Sequence, residues 1–296
     1  MASPPILYAT VTLVIALVCG LIPIFSKFKE DLDKLKSLTG IAAGIIIASA
    51  MLVVIPHGYE LASSGEHEEY ADDDHNEVSG ASNFTNQTIA KEHVDRLLLG
   101  GAILGGFLLM LILEGSGIGH AVHEEHHDHD YDHGHVHIHH NRSGWVLVLG
   151  LSLHAATDGL AIGASAATSS ISVTATVALA VLIHKGPAAF SLGIFSMHER
   201  EQRNDSIRDV VIFSLATPVM MMLAFYVLKG LETHLIGLVM LFSAGTFLYV
   251  ATVDTLPDIH NPETGRKTMS YVLFGAILLV IVLLGADVAG LLEYGH

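Results

Sequence analysis

Eight stretches of this chain are each long and apolar enough to cross a bilayer, and that feature alone removes most folds. A hydrocarbon core takes about 20 predominantly apolar residues per helix. Such runs fall at roughly 6–25, 37–59, 96–118, 143–167, 172–197, 207–229, 232–257 and 269–292. Composition agrees: 51% of the residues are hydrophobic and only 15% charged, against about a quarter charged in soluble domains. Soluble cores do hold apolar helices, but eight such runs with short polar connections leave little room for one. The first run lacks a basic leader and passes straight into Lys27-Phe28-Lys29, so it reads as a mature helix and not as a signal peptide. The fold class is all-α integral membrane, a single eight-helix transmembrane domain over residues 1–296.

The formal charge of −16 excludes a nucleic-acid partner, which needs a basic face. The one cysteine, Cys19, lies inside an apolar run, so there is no disulfide framework and no Cys-based zinc finger. Sidedness follows from Lys and Arg. With the N-terminus outside, the inner loops hold Lys27, Lys29, Lys34, Lys36, Arg142, Arg200, Arg203, Arg208, Arg266 and Lys267. The outer segments then hold only Lys91, Arg96 and Lys229, which puts both termini on the extracytoplasmic side. Glycosylation sequons decide nothing: Asn83 and Asn86 fall outside on this reading, but Asn141 and Asn204 fall inside.

Two connections stand out. Residues 61–95 are polar and acidic, with no apolar period, and read as a flexible outer loop. The cytoplasmic loop 120–142 is His-rich, with ten of the chain's twenty histidines between 120 and 140. Imidazole beside carboxylate binds divalent metals in many geometries, although a solvated low-complexity linker has the same composition. Within this tract His123-Glu124-Glu125-His126-His127 matches the zinc-protease pattern. That chemistry needs both histidines on one face of a packed helix, with the glutamate against a zinc-bound water. In a run where nearly every second residue is histidine, the match is chance.

Ionisable groups at bilayer depth cost free energy and are functional candidates by default. His154 lies near the midpoint of the fourth span, and Asp158 follows one turn later on the same helical face. The pair can clasp a divalent cation or form a buried hydrogen bond. His184 sits at mid-depth in the fifth span, after a link of only about four residues, so the two spans should form an antiparallel hairpin with both histidines level. Two imidazoles and a carboxylate make an open zinc-type site, and transport demands such incompleteness, because a closed cage would not release its ion. Gly159 and Gly163 permit close helix approach, and Pro187 and Pro218 should free the carbonyls of Ile183 and Ser214. Either proline could equally be a tolerated kink. Lys185 follows His184 and points about 100° away around the helix. It is expected in the bundle interior, where it could stand in for a second cation or act as a proton-linked switch. His57 and Glu60 on the outer side, and Glu114, Asp254 and Asp258 on the inner side, mark candidate entrances and exits.

The runs His154-Ala-Ala-Thr-Asp158-Gly159-Leu-Ala-Ile-Gly163 and His184-Lys-Gly-Pro187-Ala-Ala-Phe-Ser-Leu-Gly193 resemble the signature pair of the ZIP (Zrt-, Irt-like) metal transporters. The likeness extends over nearly the whole chain and includes Gly245-Thr-Phe-Leu-Tyr-Val-Ala-Thr-Val-Asp254 in the seventh span. The His-Lys-x-Pro-Ala-Ala variant is similar to the branch with animal Golgi-associated members. The resemblance implies a 3+2+3 bundle in which the first and last three helices are inverted repeats around the fourth and fifth. It further implies zinc as the transported substrate, sometimes iron, manganese or cadmium, moved toward the cytosol by alternating access, and a homodimer. The implied ligands are His154, Asp158 and His184, in a plasma-membrane or Golgi and secretory-pathway protein. Many members have a second metal position, and its ligands are replaced here by Ala155 and Ala188, with Lys185 adding a positive charge. One transport site, with Lys185 as the substitute cation, is therefore expected. Neither an enzyme nor a cofactor is implied. The rival reading is a metal-binding membrane receptor or sensor that uses the same site without net transport.

Overall fold

The computed structural model describes residues 5–26, 32–63, 81–116, 145–200, 202–255 and 265–290, with backbone alone at 32–36, 81–95, 145–147 and 254–255. Among the described residues all regular structure is helical: α1 (Ile6–Phe25), α2 (Leu32–Ser49), α3 (Ile55–Ser63), α4 (Ala81–Gly115), α5 (Trp145–Ala167), α6 (Ile171–Glu199), α7 (Arg203–Leu228), α8 (Thr233–Tyr249) and α9 (Gly265–Val288). A wide π-helical turn, Ala50–Val54, joins α2 to α3, so together they form one span from Ser37 to Ser63. A second π turn, Val250–Thr255, extends α8. Among the described residues seven spans are long and apolar enough to cross a membrane. Helix α5, read from the sequence as the fourth span, is 23 residues long but is not among these seven; it carries the polar His154 and Asp158.

Large apolar side chains cover the outside of these helices. Leu273, Phe274, Ile277, Ile281 and Leu284 of α9 are exposed, as are Leu97, Leu104 and Ile112 of α4. In water such a surface would drive aggregation, whereas lipid solvates it. The chain is a multi-pass membrane protein. The interior packs small residues and large apolar side chains such as Phe213, Phe225 and Phe247 around polar groups, among them His154, Asp158, His184, Lys185 and Asp209.

The helices pack as two groups. Helices α1, α5, α6 and α7 pack on one another, and α2, α3, α4, α8 and α9 form the second group. The groups meet where α6 lies against α2 and where α5 lies against α8. Inside the first group α5 crosses α7 closely. A Cβ added at Gly159 would lie 2.2 Å from the Thr217 carbonyl oxygen, and one at Gly163 would lie 2.4 Å from that of Met221. Only a hydrogen fits there, as the small-residue spacing implies. Thr217 Oγ1 donates to the Ala155 carbonyl at 2.7 Å across this seam.

Helix occupies both ends of the segment 61–95 that the sequence presents as a loop. Helix α3 runs to Ser63 and α4 begins at Ala81. The polar composition of 81–95 gives no apolar period, but extending an existing helix costs far less than nucleating one, so α4 propagates beyond its membrane part. The His-rich loop 120–142, with its His123–His127 match, lies outside the described residues.

Candidate metal centre

The hairpin of α5 and α6 sets the depth of the ligands. It turns through Thr168–Ser170, where Ser169 adopts a left-handed φ of 65° and the Ser170 side chain caps α6 by accepting from the Val173 N–H. His154 precedes the end of α5 by 13 residues, and His184 follows the start of α6 by the same number. At 1.5 Å per residue both stand about 20 Å from the turn, hence at one level. Their ring centroids are 6.0 Å apart.

His154, Asp158 and His184 are the one group of three metal-ligating side chains that the described residues bring together, all three buried, with one donor atom from each within 4.8 Å of the others. His184 Nε2 lies 3.3 Å from Asp158 Oδ1 and His154 Nε2 lies 3.8 Å from the same oxygen. Two donors bound to one zinc at about 2.0–2.1 Å and a tetrahedral angle are separated by about 3.3 Å, so these spacings suit a shared ion. His184 Nδ1 is 3.1 Å from the Ala180 carbonyl oxygen and donates to it. A neutral imidazole committed in this way turns the lone pair of Nε2 toward the Asp158 carboxylate. Two acceptors then face one another, an arrangement that calls for a cation between them. His154 adds a second sign: both of its ring nitrogens are buried without a hydrogen-bond partner. Buried polar atoms in that condition are rare and demand an explanation, and a metal ion supplies one.

The surroundings divide between the two helix groups. Lys185 is fully buried, its Nζ 3.1 Å from Asp158 Oδ2 and 4.3 Å from the centroid of the Phe213 ring on α7. Asp158 thus presents one oxygen to the imidazoles and the other to an ammonium. From the second group, Phe247 of α8 packs edge-to-face on His154 at 6.0 Å and on His184 at 6.2 Å, which closes the site from the side of α8. Neither phenylalanine stands out in the sequence, because an aromatic at helical spacing reads as core. Phe247 lies inside the Gly245–Asp254 run, the only signal that could have drawn attention to it.

Of the candidate path residues, His57, Glu60 and Glu114 do not belong to this cluster among the described residues. His57 is buried on α3 and Glu60 is exposed on the same helix. Glu114 of α4 accepts a hydrogen bond from the Tyr249 hydroxyl, on the seam between α4 and α8. Asp254 lies in the second π turn, where the backbone alone is described, and Asp258 lies outside the described residues. Buried Asp209 on α7 was not among the candidates. It accepts from Ser196 Oγ at 2.8 Å and from Arg200 Nε at 2.7 Å, which clasps the end of α6 to the start of α7.

The chain resembles known proteins over most of its length. The profile of the family described as "ZIP Zinc transporter" matches residues 3–143 and 115–283. The chain is 33% identical over 293 residues to zinc transporter ZIP9-A of Xenopus laevis, with 90% of this chain and 93% of the relative covered. It is 36% identical over 304 residues to zinc transporter ZIP9 of Micropogonias undulatus, covering 94% and 93%. Similarity to human zinc transporter ZIP2 is 29% over 146 residues, about half of each chain (48% and 46%).

Proposed function

As the chain belongs to the ZIP zinc transporter family, we propose that it is a secondary carrier that moves divalent zinc toward the cytosol through a midplane site of His154, Asp158 and His184. The observation that carries the reading is the buried three-donor cluster with an unpartnered imidazole at bilayer depth. Two neutral imidazoles and one carboxylate bind zinc while leaving a coordination position open, and the open position lets the ion enter and leave. Iron, manganese and cadmium are further substrates on this reading.

Alternating access is supported by the way the helices group. The three ligands all belong to α5 and α6, while Phe247 comes from the opposing group, so sliding one group past the other would carry the ligands away from the ring that covers them. The pairing of α2 with α9 and of α4 with α8 fits eight spans built as inverted repeats, three on each side of α5 and α6. Lys185 takes the role of a second cation: it neutralises Asp158 Oδ2, and Ala155 and Ala188 offer no ligand atoms. The carrier holds one ion at a time. It acts as a homodimer in the plasma membrane or a Golgi and secretory-pathway membrane, with both termini extracytoplasmic. His57 and Glu60 serve the entrance, and Glu114, Asp254 and Asp258 the exit.

The test is reconstitution of the purified protein in liposomes holding a zinc dye, with wild type and His154→Ala in parallel. Saturable zinc influx that disappears in the variant is the expected result. Tight zinc binding without passage would replace the carrier by a receptor or sensor that uses the same site.

A further inference from the structure

Bound zinc sets a problem for Lys185. Before the ion arrives, the ammonium is balanced by Asp158, its one hydrogen-bond partner among the described residues. Once a dication shares that carboxylate, the attraction weakens, and the ammonium also meets the repulsion of the metal at short range. Something other than Asp158 has to hold it in place. The face of Phe213 is the group positioned to do so. Its ring is fully buried on α7, and its centroid lies 4.3 Å from Lys185 Nζ, well inside the range of about 6 Å over which a ring quadrupole attracts a cation. As the carboxylate's hold weakens, the ammonium leans further onto the ring, so the ring stabilises the zinc-bound state more than the empty one, and that difference is what enters the zinc affinity.

We infer that Phe213 is a positioning residue that holds the Lys185 ammonium beside the site while zinc is bound, so that the π face of Phe213 sets zinc affinity through Lys185. The inference rests on the reading of His154, Asp158 and His184 as the zinc ligands. The competing role is packing alone, since Phe213 also belongs to a buried cluster with Ala16, Val148, Ala155 and Leu192.

Fluorination separates the two roles, because it withdraws π density from the ring with little change of shape. The full-length protein is prepared with phenylalanine, 4-fluoro-, 3,5-difluoro- and 3,4,5-trifluorophenylalanine at position 213, each with Lys185 and with Lys185→Met. Zinc affinity is then measured by calorimetry in detergent. With Lys185 present, Kd should rise stepwise with each fluorine, by about threefold across the series, since only the part of the cation–π energy gained on zinc binding counts. With Lys185→Met the series should be flat. A flat series with Lys185, or the same slope in both backgrounds, overturns the inference and leaves Phe213 as packing, while zinc binding that still requires His154 leaves the carrier reading intact. Zinc binding that is absent from the unfluorinated protein, or indifferent to His154→Ala, refutes the ligand assignment and this inference with it.

Discussion

Lys185 Nζ stands 3.1 Å from Asp158 Oδ2, while the other oxygen of that carboxylate faces the imidazoles of His154 and His184. A single aspartate therefore serves both a fixed cation and a site for an exchangeable one. This arrangement places a strong condition on residue 185. Lys185→Glu would set a second carboxylate against Asp158 and remove the built-in positive charge. It is expected to raise the zinc bound per chain from one to two, or to change the order of metals carried. Breaking a buried ion pair commonly costs about 3–5 kcal/mol, so the stability of the variant should fall as well. Calorimetric stoichiometry checks the first point; an unchanged metal count and flux would defeat the substitute-cation role.

The two histidines should differ in what they do for the apo protein. His154 makes no hydrogen bond through either ring nitrogen, whereas His184 Nδ1 donates to the Ala180 carbonyl. Truncating either buried ring leaves a cavity, but only His184→Ala also removes a hydrogen bond. His154→Ala is therefore expected to lower the melting temperature of the metal-free protein less than His184→Ala does. Zinc flux should fall to background in both, with both variants still reaching the membrane. Near-normal flux in either one contradicts the assignment.

Helix packing that sets the ligand position can be probed away from the metal. At Gly159 a Cβ would overlap the Thr217 carbonyl oxygen, so Gly159→Ala must push α5 from α7 and shift Asp158, its immediate neighbour. Overpacking of this kind costs about 1–3 kcal/mol. A loss of thermal stability with a raised KM for zinc is the expected outcome. Gly186→Ala is the control for space, since its Cβ would meet Cys19 Sγ at 3.5 Å and Ile15 Cγ2 at 3.9 Å, both ordinary contacts. Equal damage from the two substitutions would show that the α5–α7 seam has no special role.

Deletion of residues 120–140 removes ten histidines yet touches none of the three proposed ligands. Transport by the deleted chain should remain largely intact in the liposome assay. A dead carrier would make that loop part of the mechanism.

The conditions for this fold are local, and the sequence by itself determined them. Each apolar run must become a helix because lipid offers the backbone no other partner. The His154–Asp158 spacing puts both side chains on one face, and the short link at Thr168–Ser170 forces α6 to return beside α5. His154, Asp158 and His184 could be proposed together on those grounds alone. What only the tertiary structure decided is what stands around them. Phe213 and Phe247 come from α7 and α8, far along the chain, and an apolar residue in an apolar helix gives no sign of which neighbour it will face. Lys185 could be expected inside the bundle, but its pairing with the second oxygen of Asp158 depends on how α5 and α6 are rotated against each other. That rotation is set by packing, by Gly159 and Gly163 locking α5 to α7, and non-local contacts of this kind leave no periodicity to read. Asp209 shows the same limit: beside Arg208 in the sequence it resembles an ordinary interfacial charge, and only the folded chain buries it against Ser196 and Arg200.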